Sequence, residues 1–351
     1  MTIKPGAFRF NTDSMKLEIF RGSANYEGTA SMAGIGTLAA GQWEEIQARS
    51  PEVQTGGTRG LFGGGSSPTN VIDYVNISST GDAQDFGDLS TDNVNLASCS
   101  NSTRGVFGGG LVSPLSPYYT NVIQYITISS TGDAQDFGDL STDKGNLASC
   151  SNSTRGVFGG GFTFTPVSTN LNTIEYITIS STGDAIDFGD LSIDKNTLGA
   201  CSNSTRGVFG GGFVAPNSLN TIEYITISSA GNASDFGDLS VGKNGLCACS
   251  NSTRGVFGGG GNPTPVSTIE YITISSAGNA SDFGDLSVGK NSLCACSSST
   301  RGVFGGGFFT PSTTDVIEYV NIMSTGNAVD FGDLTIGRSN AGGLSNGHGG
   351  L

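Results

Sequence analysis

Asp85 and Asp88 stand three residues apart in D-F-G-D-L, and a pair of nearby carboxylates is what acid–base hydrolysis of a glycosidic bond requires. The pair recurs as Asp136 with Asp139 and continues through Asp187, Asp235 and Asp282 to Asp330 with Asp333. One active site has no use for six copies of its acid. An arginine recurs in step, at Arg59, Arg104, Arg155, Arg206, Arg254 and Arg301. A charge present in every unit is better read as a buried partner holding one unit to the next, because an unpaired buried charge is costly. That reading assigns structural roles to Asp85, Asp136, Asp187, Asp235, Asp282 and Asp330, and to the arginines from Arg104 to Arg301.

The other chemically capable residues fare no better as catalysts. Arginines spread one per unit cannot form the clustered triad of a sialidase. The S-T-G-D-A segment could offer calcium Asp82 or Asp85, but its spacing is not that of an EF-hand loop and suits a tight turn. The seven cysteines, Cys99, Cys150, Cys201, Cys247, Cys249, Cys294 and Cys296, all fall in one part of the repeat. The two C-A-C segments put thiols on one side of a strand, as a soft-metal site would, yet no histidine is near them. Reduced, buried thiols acting as small hydrophobes are expected. His348 is the only histidine, so a Ser-His-Asp triad or a zinc hydrolase site lacks material. No catalytic residue, metal or cofactor is expected, and the chain is not read as an enzyme.

These residues are positioned by a repeat. Successive arginines lie 45, 51, 51, 48 and 47 residues apart, and Phe86, Phe137, Phe188, Phe236, Phe283 and Phe331 give the same count of six. A period of this size marks an array of identical supersecondary units. Within the unit, T-I-E-Y-I-T-I is β-branched or aromatic on both sides of the strand, so both faces must be covered. A sheet sandwiched between neighbours, as in a propeller of radial blades, meets that need. Four strands can be drawn per unit: L-C-A-C-S-N-S, R-G-V-F-G, T-I-E-Y-I-T-I and S-D-F-G-D-L. The first is built from small residues and is placed innermost, where blades converge.

Residues 344–351 align with Cys249 through Val256, while the first unit begins at Arg59 with a second strand. The last strand is therefore expected to complete the first blade, giving an all-β, six-bladed propeller over residues 51–351 with no open sheet edge. A seventh blade made from residues 5–50 is the alternative. Residues 1–50 are read as a separate β module: a hairpin over 5–21 around Asn11-Thr12-Asp13-Ser14, a long loop at 22–41 and a short strand at Trp43.

All variation in unit length falls in the loop after the glycine triplet, which has 4, 10, 10, 7, 6 and 7 residues. These loops are stiffened by proline and rich in aromatic and hydroxyl groups, a composition suited to sugar rings or protein surfaces. Tyr118, Tyr119, Phe162, Phe164, Phe213, Asn217, Phe308 and Phe309 are the candidate ligand-contacting residues. They could equally cover blade ends or bury against a neighbouring subunit. Asp315 is the one charge in these loops, which argues against a polyanionic ligand.

The unit resembles the kelch motif, in which a strand ending in a double glycine is followed by a loop and a tyrosine-bearing strand, here Gly211-Gly212 and Tyr224. It departs in the outer strand, where Phe236 and its counterparts replace the usual tryptophan. The F-G-D-L and R-G-V-F-G-G-G repeats are similar to those of structural proteins of tailed phages, particularly cyanophages. The pattern G-x-F-R-F-N-T-D-x-x-K-L-E-x-F followed by G-x-W-x-x-I resembles a short module of phage tail-fibre and minor virion proteins. These resemblances imply a virion protein assembled in the host cytoplasm, with residues 1–50 contacting other virion subunits and the propeller binding a host-surface glycan or receptor. Trimers or another homo-oligomer would fit a fibre. A purely architectural capsid or tail subunit and a glycan-cleaving enzyme are the alternatives. The net charge of −14 argues against nucleic acid, which needs a basic patch. No apolar run of about 18 residues is present to cross a bilayer, and none of signal-peptide length follows Met1.

Overall fold

The computed structural model describes the backbone at 8–11, 16–21 and 42–45, and the chain at 59–66, 69–112, 119–164 and 167–351. The chain divides into two units, Met1–Val53 and Gln54–Leu351. In the first, strands Phe8–Asn11, Lys16–Arg21 and Gln42–Glu45 form an antiparallel sheet in that order, with Phe8 opposite Ile19 and Phe20 opposite Trp43. The expected turn and long loop between these strands lie outside the described residues.

The second unit is a six-bladed β-propeller. Blade 4 shows the plan: Gly199–Ser202, Arg206–Gly210, Thr221–Thr226 and Ser234–Asp238 run antiparallel from the axis outward. Ile222, Glu223 and Ile225 are all buried, so the third strand is covered on both faces. Blade 1 takes its innermost strand from the far end of the chain, Gly342–Ser345, which pairs with Arg59–Gly63 so that Leu344 faces Leu61.

Close approach between blades explains the glycines of R-G-V-F-G. A Cβ on Gly156 would lie 2.5 Å from the Sγ of Cys99 in the preceding blade, and Gly207 stands in the same relation to Cys150. At Gly105 the neighbour is Leu344, so the closing strand fills the place that a cysteine fills elsewhere. Each seam carries its own apolar layer; between blades 3 and 4 it includes Val157, Ile174, Phe188, Leu191, Phe209 and Ile225. Truncating a buried phenylalanine such as Phe209 to alanine costs about 3–5 kcal/mol. All seven cysteines are buried and free, and burial pushes the Cys150, Cys249 and Cys294 thiols up to about 12.

The outer edges are also closed. Gly132 and Ala134 of blade 2 donate their N–H groups to Phe86 O and Asp88 O of blade 1, each at 2.8 Å. Gly81 donates to Phe331 O at 2.7 Å, which carries the same clasp from blade 6 to blade 1. Every outermost strand thus meets the S-T-G-D-A turn, or its S-A-G-N-A or S-T-G-N-A variant, of the next blade, and its edge groups find partners.

The expected Arg–Asp links need correction. Asp85, Asp136, Asp187, Asp235, Asp282 and Asp330 are exposed on the outer strands. Repetition located them, but the outer strand turns this position to solvent. The arginines are half-buried and cross the seams by another route. Arg155 stacks over the Tyr176 ring of its own blade at 4.3 Å and donates to Ile227 O of the next at 2.9 Å. Arg301 does the same toward Ile77 of blade 1, at 3.0 Å.

The buried charges lie elsewhere. Lys195 and Glu223 pair at 2.6 Å and Lys290 and Glu318 at 2.5 Å, while Lys144 pairs with Glu175, Lys243 with Glu270 and Arg338 with Asp73. Each cation sits on the connector between blades, and each carboxylate sits on a third strand. Glu175 Oε1 also accepts the N–H of Ser141, at 2.8 Å, and so holds the connector arriving from blade 2. Burial alone would raise the Glu175 carboxyl, but the Lys144 charge and the hydrogen bonds from Lys144 and Ser141 hold it below its ordinary value. In blade 2 the pair becomes neutral: Gln124 accepts from Ser90 N and Asn93 donates to Gly109 O, both at 2.8 Å. The signal for these pairs is legible across the copies, since Glu, Asp and Gln change in step with Lys, Arg and Asn.

Candidate functional site

The meander of each blade sends the loop between its second and third strands to the same face as the connector from the blade before. The two are bonded together: Phe162 N–H donates to Gly145 O at 2.8 Å, and Gly145 N–H donates to Phe162 O at 3.0 Å. Phe213 and Phe308 are fixed in the same way to Asn196 and Asn291. Tyr119 of blade 2 stacks on Phe164 of blade 3 at 5.2 Å and 17°, and meets Phe162 edge-on at 6.0 Å. Phe162 and Phe164 themselves meet edge-on at 5.2 Å. Such pairs each add about 0.5–1.5 kcal/mol beyond their burial, so two loops are locked into one aromatic cluster. Phe164 remains 42% exposed.

The structure therefore unites three of the predicted loop residues. Phe213 and Phe308 are half-buried on their own blades, while Asn217 and Phe309 are exposed at opposite strands of short loop ribbons, facing Val214 and Ser312. Tyr118 lies outside the described residues.

Beside the cluster is the axis. Asn95, Asn146, Thr197, Gly245, Ser292 and Asn340, one from each connector, form a closed ring in which every N–H donates to the carbonyl of the preceding member at 2.6–3.0 Å. Behind the ring, a cavity of about 130 Å³ is lined by these residues and the innermost strands, including Ser98, Ser149, Ala200 and Ala248. Asn146 Nδ2 reaches Tyr119 Oη at 3.5 Å, so the mouth and the aromatic cluster are contiguous. Reading the sequence alone missed these six residues. The available signal was a turn-forming or hydroxyl residue at one fixed position, just before each innermost strand.

A second ring closes the other end. Ser100, Ser151, Ser202, Ser250, Ser297 and Ser345 each donate a hydroxyl to a neighbouring serine carbonyl at 2.5–2.8 Å, around a full circle. His348 lies on the axis against this ring. Its Nδ1 accepts from Gly350 N at 3.1 Å, which leaves Nε2 to donate to Ser100 O at 2.9 Å. Ser151 Oγ is 3.3 Å from Nε2. That nitrogen already carries the proton and is no base for the hydroxyl. Burial lowers the His348 pKa, against a smaller opposing effect of the Ser100 bond.

The loop face thus offers aromatic surface, carboxamides and hydroxyls around a mouth whose ring members are uncharged. Such groups bind and orient neutral polar ligands. Compared with known proteins, the chain matches no family model and has no significantly similar curated protein.

Proposed function

We propose that the protein is a structural subunit of a tailed-phage virion, a tail fibre or appendage, whose propeller is a binding head for a host-surface glycan or receptor. The observation that carries this reading is the cluster of Tyr119, Phe162 and Phe164, joined across two blades on the variable face with Phe164 42% exposed. A rigid, part-exposed aromatic surface is a poor use of chain unless it meets a ligand or partner. The virion assignment rests on the resemblance of the repeats and of residues 5–46 to phage structural proteins, and gives residues 1–50 the contact with other virion subunits. Binding without catalysis accords with carboxylates that recur six times along an exposed rim.

A second reading is architectural. Ile193, Val241, Val288 and Ile336 occupy one equivalent connector position and are 42%, 52%, 45% and 41% exposed. A neighbouring subunit would cover such an arc.

The test is saturable binding of the full chain to cyanobacterial cells, beside a variant carrying Tyr119→Ser, Phe162→Ser and Phe164→Ser with an unchanged circular dichroism spectrum. Binding that disappears in the variant supports the binding head. A folded wild-type protein that binds none of a broad cell panel overturns it in favour of the architectural reading.

A further inference from the structure

Among the described residues, five that are not glycine have left-handed backbone: Asn95 (φ 60°), Asn146 (56°), Thr197 (51°), Ser292 (54°) and Asn340 (57°). All five belong to the hydrogen-bonded ring at the loop-face mouth. The sixth member, Gly245 (φ 61°), shows that glycine serves the ring equally well. Elsewhere in the described chain this protein meets every left-handed turn with glycine. Left-handed backbone is strained for residues with a Cβ, tolerated by asparagine and poorly suited to a β-branched threonine. Strain kept at one place where the simpler residue was available points to a use for the side chains.

Those side chains are all hydrogen-bonding and all uncharged. Many of their polar atoms are free. Nothing described bonds the Asn95 amide, the Ser292 hydroxyl or the carboxamide oxygens of Asn146 and Asn340. The six residues are half-buried, held at the rim of the cavity instead of waving in solvent. Their backbone N–H and C=O groups are consumed by the ring itself, so its geometry is fixed before any ligand arrives.

We propose that this mouth is a binding site for a neutral, hydroxyl-rich sugar residue, held by Asn95, Asn146, Thr197, Ser292 and Asn340 with its ring edge toward Tyr119. The proposal rests on the reading of the loop face as the binding face and supplies its ligand class. Carboxamides and hydroxyls donate and accept together, as sugar hydroxyls do, and the neighbouring aromatic faces suit the C–H side of a pyranose. An anionic sugar is disfavoured: the ring holds no cation, and the exposed or half-buried Asp92, Asp143 and Asp194 stand three residues before ring members.

The test uses the full chain and saturation-transfer NMR with the methyl glycosides of glucose, galactose, mannose and N-acetylglucosamine, and with the methyl glycoside of N-acetylneuraminic acid as the anionic comparator. The variant replaces Asn95, Asn146, Thr197, Ser292 and Asn340 by glycine, which the left-handed backbone accepts. Asn146→Asp is a second variant that keeps the backbone preference and removes the amide donor. At least one neutral glycoside should bind, at least ten-fold more weakly to the glycine variant, with the anionic probe weaker than the best neutral one. Binding by no neutral probe, wild-type binding retained in both the glycine and the Asn146→Asp variants, or preference for the anion overturns the proposal. Cell binding that survives the glycine variant but is lost with Tyr119→Ser and Phe164→Ser sinks the ring site and leaves the loop face standing. Absence of cell binding by the wild type sinks the loop-face reading, while the glycoside measurement still decides the ring.

Discussion

The seams between blades and the mouth on the loop face are built from the same repeat, yet they treat polar groups in opposite ways. At the seams each recurring group has a fixed partner: arginine has tyrosine and a carbonyl, lysine has glutamate, and serine has the next serine. At the mouth the backbone is fully bonded while side-chain atoms are left over. The difference separates what holds the ring together from what is available to a ligand. Substitution at a seam should therefore cost stability, and substitution at the mouth should cost binding alone.

The largest effect is expected at a buried ion pair. Lys195→Met leaves Glu223 charged and unpaired, which should lower unfolding stability by about 3–5 kcal/mol in denaturant titration. Lys195→Asn combined with Glu223→Gln copies the neutral pair that blade 2 already carries as Asn93 and Gln124, and should recover most of that loss. A double variant no more stable than the single would show that the seams are not interchangeable.

Next is the serine ring. Ser202 Oγ donates to Ser151 O at 2.7 Å and accepts from Ser151 N at 3.3 Å, so Ser202→Ala strands two buried backbone groups at about 1–3 kcal/mol. A loss confined to a few tenths would mean that water replaces the hydroxyl.

A smaller effect follows pH. The His348 pKa is depressed in the fold by burial, so its neutral form is the one that docks. The contribution is complete above the ordinary histidine value of about 6.5 and declines as pH falls below it. Around His348 the facing side chains are serines, and the nearby thiols Cys99, Cys150, Cys201, Cys249 and Cys296 stay protonated, so the imidazole is the titrating group. Tm measured from pH 7.5 to 5 should fall more for the wild type than for His348→Gln; parallel curves would remove His348 from the account.

The smallest effect belongs to the mouth. Thr197→Gly relieves about 1 kcal/mol of left-handed strain and loses a similar amount through the freer unfolded chain, about 0.5–1 kcal/mol. Tm should hardly move. A clear drop would make the mouth another seam and erase the contrast.

What was legible in the sequence follows the same division. Six arginines and six phenylalanines in step gave the blade count, and the offset between Arg59 and Leu344 gave the closing strand. The small residues of C-A-C-S placed the innermost strand, since only small side chains fit where Cys99 meets Gly156. The partners were harder. Repetition revealed that Asp85 and Arg155 matter to every unit but not which way each points, and exposure decided against Asp85. The Lys195–Glu223 pair was harder to read because its members are 28 residues apart and sit in different elements, so only the joint change of Glu, Asp and Gln with Lys, Arg and Asn across the copies points to it. The mouth was least visible: Asn, Asn, Thr, Gly, Ser and Asn share only the small, polar character of any turn, and the backbone angle that sets them apart is not written in residue type.

The strand that completes blade 1 also sets how the propeller meets mechanical load. Gly342–Ser345 runs antiparallel to Arg59–Gly63, with Ser345 facing Gly60. Beyond that rung, Arg59 N donates to Asn346 Oδ1 at 3.0 Å and Asn346 N donates to Arg59 O at 3.3 Å. Tension applied through the segments flanking the pair arrives at the same end of both strands. It would peel the rungs one after another, first Asn346 and Arg59, then Ser345 and Gly60, instead of shearing all of them at once. The ring is closed by a zipper pulled from its open end, and it resists traction best when the two flanking segments are held side by side.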